Sequence, residues 1–129
     1  MDLNARTAAF VLGVILLIAG VLGFIPNPIV GMRGIFLTNH MHDYVHIISG
    51  IFLLLGVYSS LGPSLALKIL GVVYAIIAVA GFVLMKGGDG LLFGLIAMNM
   101  MDHWLHVALA IIICAAGFGL PSRARMAAA

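Results

Sequence analysis

Positions 39–46 of the chain read NHMHDYVH, and positions 99–106 read NMMDHWLH. The second box repeats the first at an offset of 60 residues, with asparagine at the start, an aromatic residue at the sixth position and histidine at the end. The two boxes contain all five histidines and two of the four acidic residues, in a chain in which only 8% of residues are charged. Such a concentration of polar groups requires a physical reason.

The sequence around the boxes is strongly apolar. Hydrophobic residues make up 64% of the chain, against roughly half in an ordinary soluble domain. Lipid is therefore the solvent for most of the chain, and 129 residues leave room for about four spans of roughly 20 residues each. The six basic residues are scattered singly, without the patch that nucleic-acid binding needs. We expect one integral membrane domain, residues 1–129, whose partner is the lipid bilayer and not nucleic acid.

Breaks in the apolar pattern divide the chain into four predicted helices. The first runs from about Thr7 to Ile25, where Pro26 and Pro28 end it. Its length and the lack of a small-residue cleavage site favour a retained membrane helix over a secretory signal. The other predicted helices cover about 39–60, 65–85 and 99–118. The half-apolar connections at 27–38 and 91–98 are expected to lie in the membrane interface or to fold back onto the bundle.

The two halves of the chain resemble each other outside the boxes as well. Leu12-Gly13-Val14 recurs as Leu70-Gly71-Val72, and Pro63-Ser64 recurs as Pro121-Ser122, both at an offset of 58. The pattern predicts an all-α integral membrane protein with four transmembrane helices, formed by two tandem helical hairpins at about 7–64 and 65–122. Because each hairpin crosses the membrane twice, we expect a pseudo-twofold axis along the membrane normal.

The basic residues near the spans predict the orientation. One side of the membrane would carry four of them, and the other side would carry only Arg33 and Lys86. Since positive charge favours the cytoplasmic side, both termini are predicted to be cytoplasmic and both boxes to lie at the outer end of the bundle. The four residues on the cytoplasmic side are Arg6, Lys68, Arg123 and Arg125.

Helical spacing places most of the box residues on shared faces. At about 100° per residue, one face of the second helix carries His42, Asp43 and His46, and the aromatic Tyr44 points away towards lipid. One face of the fourth helix likewise carries its aspartate and two histidines, while Trp104 points away. If the two faces converge on the axis, six side chains meet near the outer end of the bundle. These candidate site residues are His42, His46, Asp102 and His106, supported by Asp43 and His103. His40 has no counterpart in the second box and reads as an interface residue.

Four interpretations of this cluster remain open. Ionisable groups at membrane depth face the bundle interior and mark functional sites, and histidines beside carboxylates suit a transition metal such as zinc, copper or iron. Copper would also find the sulfur ligands of nearby methionines. A haem between His46 and His106 is the second interpretation, and a proton or ion relay is the third. The fourth is a structural clasp of hydrogen bonds between the helices. The methionines are Met41, Met98, Met100 and Met101.

The boxes resemble those of a family of bacterial four-helix membrane proteins grouped as domain of unknown function 4383. The resemblance covers about Leu12 to Gly117 and rests on eight box positions. It implies the four-helix fold and an inner (cytoplasmic) membrane location, and it implies no activity. Asp43 stands where the family usually has asparagine, which favours His42, His46, Asp102 and His106 as the core set. The eight positions are Asn39, His42, Val45, His46, Asn99, Asp102, Leu105 and His106.

The sequence thus leads to two hypotheses of different class. The first is a small bacterial membrane protein with a His/Asp cluster at its outer end that binds a transition metal. The second is a non-catalytic accessory or assembly subunit of a larger membrane complex, in which the same cluster is a structural clasp. An enzyme is the weakest reading, because no nucleophile motif, phosphate loop or dinucleotide fingerprint accompanies the cluster.

Overall fold

The computed structural model describes residues 3–122 and confirms four helices of membrane-spanning length and composition. Arg123 and Arg125, on which the charge argument partly rests, lie outside the described residues. The four helices are α1 (Ala5–Leu22), α2 (His40–Tyr58), α3 (Pro63–Leu84) and α4 (Met100–Gly119).

The helix ends follow local capping chemistry. α1 begins two residues before the predicted start, because the side chain of Asn4 accepts a hydrogen bond from the amide of Thr7 at 2.9 Å and so satisfies one of the free donors of the first turn. α3 begins at Pro63, since proline suits the first helical position, where no amide donor is needed. The asparagines that open the two boxes, Asn39 and Asn99, cap α2 and α4.

The helices pack as two hairpins, α1 against α2 and α3 against α4, with fewer contacts between the hairpins. Close approach within the first hairpin depends on glycine. A Cβ atom on Gly50 would lie 2.6 Å from the carbonyl oxygen of Gly13, and one on Gly20 would lie 2.7 Å from the carbonyl oxygen of Asp43. Small residues of this kind let the backbones of membrane helices touch.

The connection inside each hairpin carries two short strands, which the sequence did not predict. In the first connection, β1 (Val30–Gly31) pairs in parallel with β2 (Phe36–Leu37). In the second, β3 (Gly90–Leu92) pairs antiparallel with β4 (Ile96–Met98). β2 contacts α4 and β4 contacts α2. Each connection therefore folds over the box of the other hairpin.

The interior divides into an apolar part and a polar part. The main hydrophobic cluster extends towards the end of the bundle away from the boxes and includes Leu53, Leu67 and Ile113. The box residues fill the other end. The outer helix faces carry exposed aliphatic side chains; Ile48, for example, is 65% exposed and Val79 is 62% exposed. Such apolar surface is suited to contact with lipid. The fold thus places one buried polar cluster beneath the two stranded connections.

Candidate metal centre

Both boxes begin by capping their own helix. The side-chain oxygen of Asn39 accepts a hydrogen bond from the amide of His42 at 3.0 Å. In the second box, the side-chain oxygen of Asn99 accepts from the amide of Asp102 at 3.0 Å, and Asp102 Oδ2 accepts from the amide of Asn99 at 2.9 Å. This reciprocal pair is a capping box. The caps fix the first turn of each helix, and with it the direction of the box side chains.

The capping asparagines also join the two hairpins. The side-chain amide of Asn39 donates to the carbonyl of Leu95, and that of Asn99 donates to the carbonyl of Ile35, each at 2.9 Å. The amide of Ala97 donates back to the side-chain oxygen of Asn39 at 3.2 Å. Each box is thus tied to the connection of the opposite hairpin.

Beneath these caps, His42, His46 and His106 form a buried group, the histidine triad. Their side chains are 1%, 4% and 2% exposed, and each offers a ring nitrogen within 4.8 Å of the others. The ring centroids lie 4.6 Å apart for His42 and His46, 5.4 Å for His42 and His106, and 6.2 Å for His46 and His106. The triad combines two side chains of α2 with one of α4 and could hold a metal ion.

The hydrogen bonds of the triad leave several nitrogens free. His42 Nδ1 lies 2.6 Å from the carbonyl oxygen of Ala97, and a carbonyl can only accept, so Nδ1 carries the proton. Within residues 3–122, His42 Nε2 has no hydrogen-bond partner, nor does either ring nitrogen of His46, nor His106 Nδ1. Buried polar atoms are nearly always hydrogen-bonded. The triad therefore has free ring nitrogens with which it could hold a metal ion.

The other three candidate residues lie apart from the triad. Asp102 is engaged in the capping box. The carboxylate of Asp43 points towards α1 and contacts Gly23, where an added Cβ would overlap it. His103 likewise packs against a glycine of the other helix in its hairpin, Gly81 of α3. Its Nε2 lies 2.8 Å from the carbonyl oxygen of Gly88. Instead of converging on the centre, Asp43 and His103 each pack against the neighbouring helix of their own hairpin.

The aromatic residues of the boxes face outwards. Tyr44 is 49% exposed and Trp104 is 58% exposed. Their rings contact Phe24 and Phe82, with centroid distances of 5.4 Å and 5.1 Å. Their exposure agrees with the lipid-facing positions expected from the sequence. His40 is also exposed, stacked on Phe24 at 4.7 Å, and takes no part in the triad.

A family model described as "Domain of unknown function (DUF4383)" matches residues 6–119, almost the whole chain. The chain belongs to this family. The resemblance of the two boxes to DUF4383 is thereby confirmed. No curated protein and no solved structure matches the chain.

The DUF4383 chain has two further polar side chains beside the triad that the box pattern did not include. The ring of Tyr74, on α3, lies 5.8 Å from that of His106 between centroids, and its hydroxyl donates to Ser49 Oγ at 3.1 Å. Both residues are buried. Their signal in the sequence is that they are polar positions inside otherwise apolar spans, and Ser49 follows His46 by three residues, on the same helix face.

The triad of this DUF4383 protein is suited to a metal by its ligand chemistry. A neutral imidazole offers one lone pair, and the proton on the other nitrogen commonly bonds a backbone carbonyl, which orients the ring. His42 has this arrangement through Ala97. Three histidines with one coordination position left open are also the ligand set of some zinc sites.

Proposed function

We propose that this protein is a small bacterial inner-membrane protein that binds one divalent transition metal ion through His42, His46 and His106. The observation that carries the proposal is the meeting of three buried imidazoles from two hairpins, with ring nitrogens within 4.8 Å of one another. Burying unpaired polar nitrogens is costly. An ion that accepted one lone pair from each ring would remove that cost for one nitrogen of each histidine.

The spacing of the triad suits a tetrahedral ion. Zinc–nitrogen bonds are about 2.0–2.1 Å long, so nitrogens on a tetrahedral ion are about 3.4 Å apart. Ring nitrogens that already lie within 4.8 Å reach this spacing by small rotations of the side chains. Zinc, copper and iron all accept imidazole ligands. Zinc is the first candidate, because the set contains no sulfur and one position stays open for water or a substrate.

The structural clasp is the second candidate, and the capping asparagines favour it. Four hydrogen bonds already join the hairpins near the boxes, three of them made by Asn39 and Asn99 and one by His42. Among residues 3–122, no hydrogen bond joins a histidine to an aspartate. Asparagines thus make most of the hydrogen bonds between the hairpins near the boxes, and the lone pairs of the triad remain for another role.

The position of His42 favours a single ion over haem. A haem held between His46 and His106 needs its flat ring to pass between them. The ring of His42 lies 4.6 Å from one of these histidines and 5.4 Å from the other. It occupies the space that the haem would fill, whereas a small ion uses all three rings together.

We also propose that the two hairpins are repeats related by a pseudo-twofold axis, with both termini cytoplasmic and the triad at the outer end. Reciprocal contacts support the repeat. The side chain of Asn39 donates to the carbonyl of Leu95, and the side chain of Asn99 donates to the carbonyl of Ile35. Asn99 lies 60 residues after Asn39, and Ile35 lies 60 residues before Leu95. Ser64 and Ser122 meet at 3.0 Å between their hydroxyl oxygens. The orientation is supported by the sequence, in which four basic residues are assigned to the cytoplasmic side (Arg6, Lys68, Arg123 and Arg125) and two to the other (Arg33 and Lys86).

Metal analysis of protein purified in mild detergent tests the proposed site. The protein should carry a purification tag without histidine and be equilibrated with excess Zn²⁺, then washed with a weak chelator. We expect one zinc ion per chain in the native protein. His46→Ala and His106→Ala should lose it, because each removes one of three ligands.

The matched controls are His103→Ala and His40→Ala, one buried and one exposed, both outside the triad. They should keep the ion. Equal, substoichiometric zinc in the native protein and in all variants would overturn the proposal. Loss of stability in His46→Ala without any metal in the native protein would support the clasp.

A further inference from the structure

A cavity lies at the junction of α1, the first connection and α2. It has a volume of about 250 Å³ and is lined by Gly23, Met32, Thr38, Asn39 and His40. Met32 is 68% exposed, and His40 is exposed as well. The thioether and the imidazole at this opening are both potential ligands for a transition metal. We call this cavity the outer pocket.

Gly23 and Thr38 line the outer pocket and, together with Asp43, which contacts Gly23, form what we call the wall. The contact between the carboxylate of Asp43 and Gly23 is so close that a methyl group on Gly23 would overlap the carboxylate. Asp43 is adjacent in sequence to His42 of the triad. Thr38 lines the outer pocket on one side and, on the other, the apolar cavity that borders His46.

The polar side-chain atoms of this wall have no hydrogen-bond partners in the part of the chain that the structure describes. Asp43 is 0% exposed, and neither of its carboxylate oxygens accepts a hydrogen bond there; Thr38 is 1% exposed, and its hydroxyl is also unpaired. A buried carboxylate is normally paired with a cation or with several donors. Here both oxygens lie against Gly23, which lines the outer pocket, and Asp43 directly follows His42 of the triad in the chain.

From this arrangement we propose that the outer pocket is the entrance of the metal site and that Asp43 is the residue through which a divalent cation passes to His42 and the triad. This inference rests on the proposed metal function. Arg33 lines an adjoining groove together with Gly23 and Met32, and its positive charge opposes the approach of a cation. The carboxylate of Asp43 supplies the attraction that draws the ion past it.

The role of Asp43 is kinetic, and its test is the rate of metal uptake. Asp43→Asn keeps the shape of the side chain and removes its charge. We expect Zn²⁺ uptake by metal-free protein in detergent, followed by stopped-flow with a fluorescent zinc indicator, to slow on the order of ten-fold. The zinc content at equilibrium should stay at one ion per chain, because the triad is intact.

Asp89→Asn is the matched control. Asp89 is exposed on the second connection, so this variant loses the same charge at the same end of the protein without touching the wall. It should take up zinc at close to the native rate. An unchanged rate in Asp43→Asn, or equal slowing in both variants, would overturn the proposal. A loss of bound zinc at equilibrium in Asp43→Asn would also overturn it, since Asp43 would then be a ligand.

A second variant tests the opening without altering Asp43. His40→Cys places a thiol at the exposed mouth of the outer pocket. A membrane-impermeant cationic thiol reagent should attach there and slow zinc uptake. Reductant should remove the label and restore the rate. The native protein, whose Cys114 lies half-buried in the span, is the control for the reagent. Labelling that leaves the rate unchanged would contradict the entrance. A native protein that binds no zinc at all would instead refute the metal site itself.

Discussion

The Nδ1–H of His42 donates a hydrogen bond to the carbonyl oxygen of Ala97 across a distance of 2.6 Å. Ala97 belongs to β4, in the connection of the other hairpin. The bond therefore does two things: it holds the hairpins together, and it leaves the lone pair of His42 on Nε2. A strand of one hairpin thus selects the tautomer of a histidine in the other.

Asn39 accepts a hydrogen bond from the amide of Ala97, the residue whose carbonyl binds His42. Asn39→Ala should therefore weaken both the fold and the site. The substitution removes a helix cap, worth about 1 kcal/mol, and two bonds to the second connection. We expect the free energy of unfolding in detergent to fall by about 1–3 kcal/mol. Zinc affinity should fall by about ten-fold, because the ring of His42 loses its orientation. Chemical denaturation and zinc titration measure the two effects.

Ser64→Ala serves as the control for Asn39→Ala. It removes one exposed contact between the hairpins, at the other end of the bundle, and should change both quantities little. Comparable losses in the two variants would show that Asn39 has no special relation to the site.

Zinc should raise the thermal stability of the native protein. A ligand that binds only the folded state at 100 times its dissociation constant contributes about 2.7 kcal/mol. The unfolding midpoint should therefore rise with zinc concentration in a scan monitored by circular dichroism. His106→Ala should abolish the rise, and His103→Ala should keep it. A rise of the same size in His106→Ala would place the stabilising zinc elsewhere.

Gly23→Ala should destabilise the first hairpin through Asp43. The new methyl group overlaps the carboxylate, and forcing extra volume into a packed site costs typically about 1–3 kcal/mol. In the double variant Gly23→Ala/Asp43→Ala the overlap is gone. The second substitution should therefore recover much of the loss, and a double-mutant cycle from denaturation curves gives the coupling energy. Strict additivity would mean that the two side chains do not compete for space.

Tyr74→Phe should have a small effect. It removes the hydroxyl that donates to Ser49, and interhelical hydrogen bonds in membrane proteins contribute about 0.6 kcal/mol on average. Zinc content should remain at one ion per chain, because the ring still packs beside His106. Loss of zinc in Tyr74→Phe, measured by the same metal analysis, would give the hydroxyl a direct part in the site.

The sequence predicted the framework because apolar length and proline act locally. Four spans and their pairing into two hairpins are present, whereas the capping role of Asn39 and Asn99 was not predicted. The strands β1 to β4 were not foreseen. Each is only two or three residues long, and their pairing depends on the helices beneath them, which local propensity does not report.

The site was harder to predict, because a helical face does not say which neighbour it meets. Spacing put His42, Asp43 and His46 on one side of α2, yet α2 has neighbours in both hairpins. Asp43 lies on the edge that meets α1 at Gly23, while the two histidines meet α4. The capping role of Asp102 had a readable signal, since Asn99 and Asp102 stand at the spacing of a capping box.

The reciprocal bonds between the hairpins hold the box ends of α2 and α4 together without help from the turn that joins α2 to α3. Asn39 and Asn99 reach across to Leu95 and Ile35, and neither bond depends on the covalent link at Ser60 and Leu61. In this respect the two hairpins associate as two separate chains would, although they belong to one polypeptide. Each half accepts a hydrogen bond from the capping asparagine of the other, so a backbone nick between Ser60 and Leu61 separates two fragments that still carry matching halves of a shared interface.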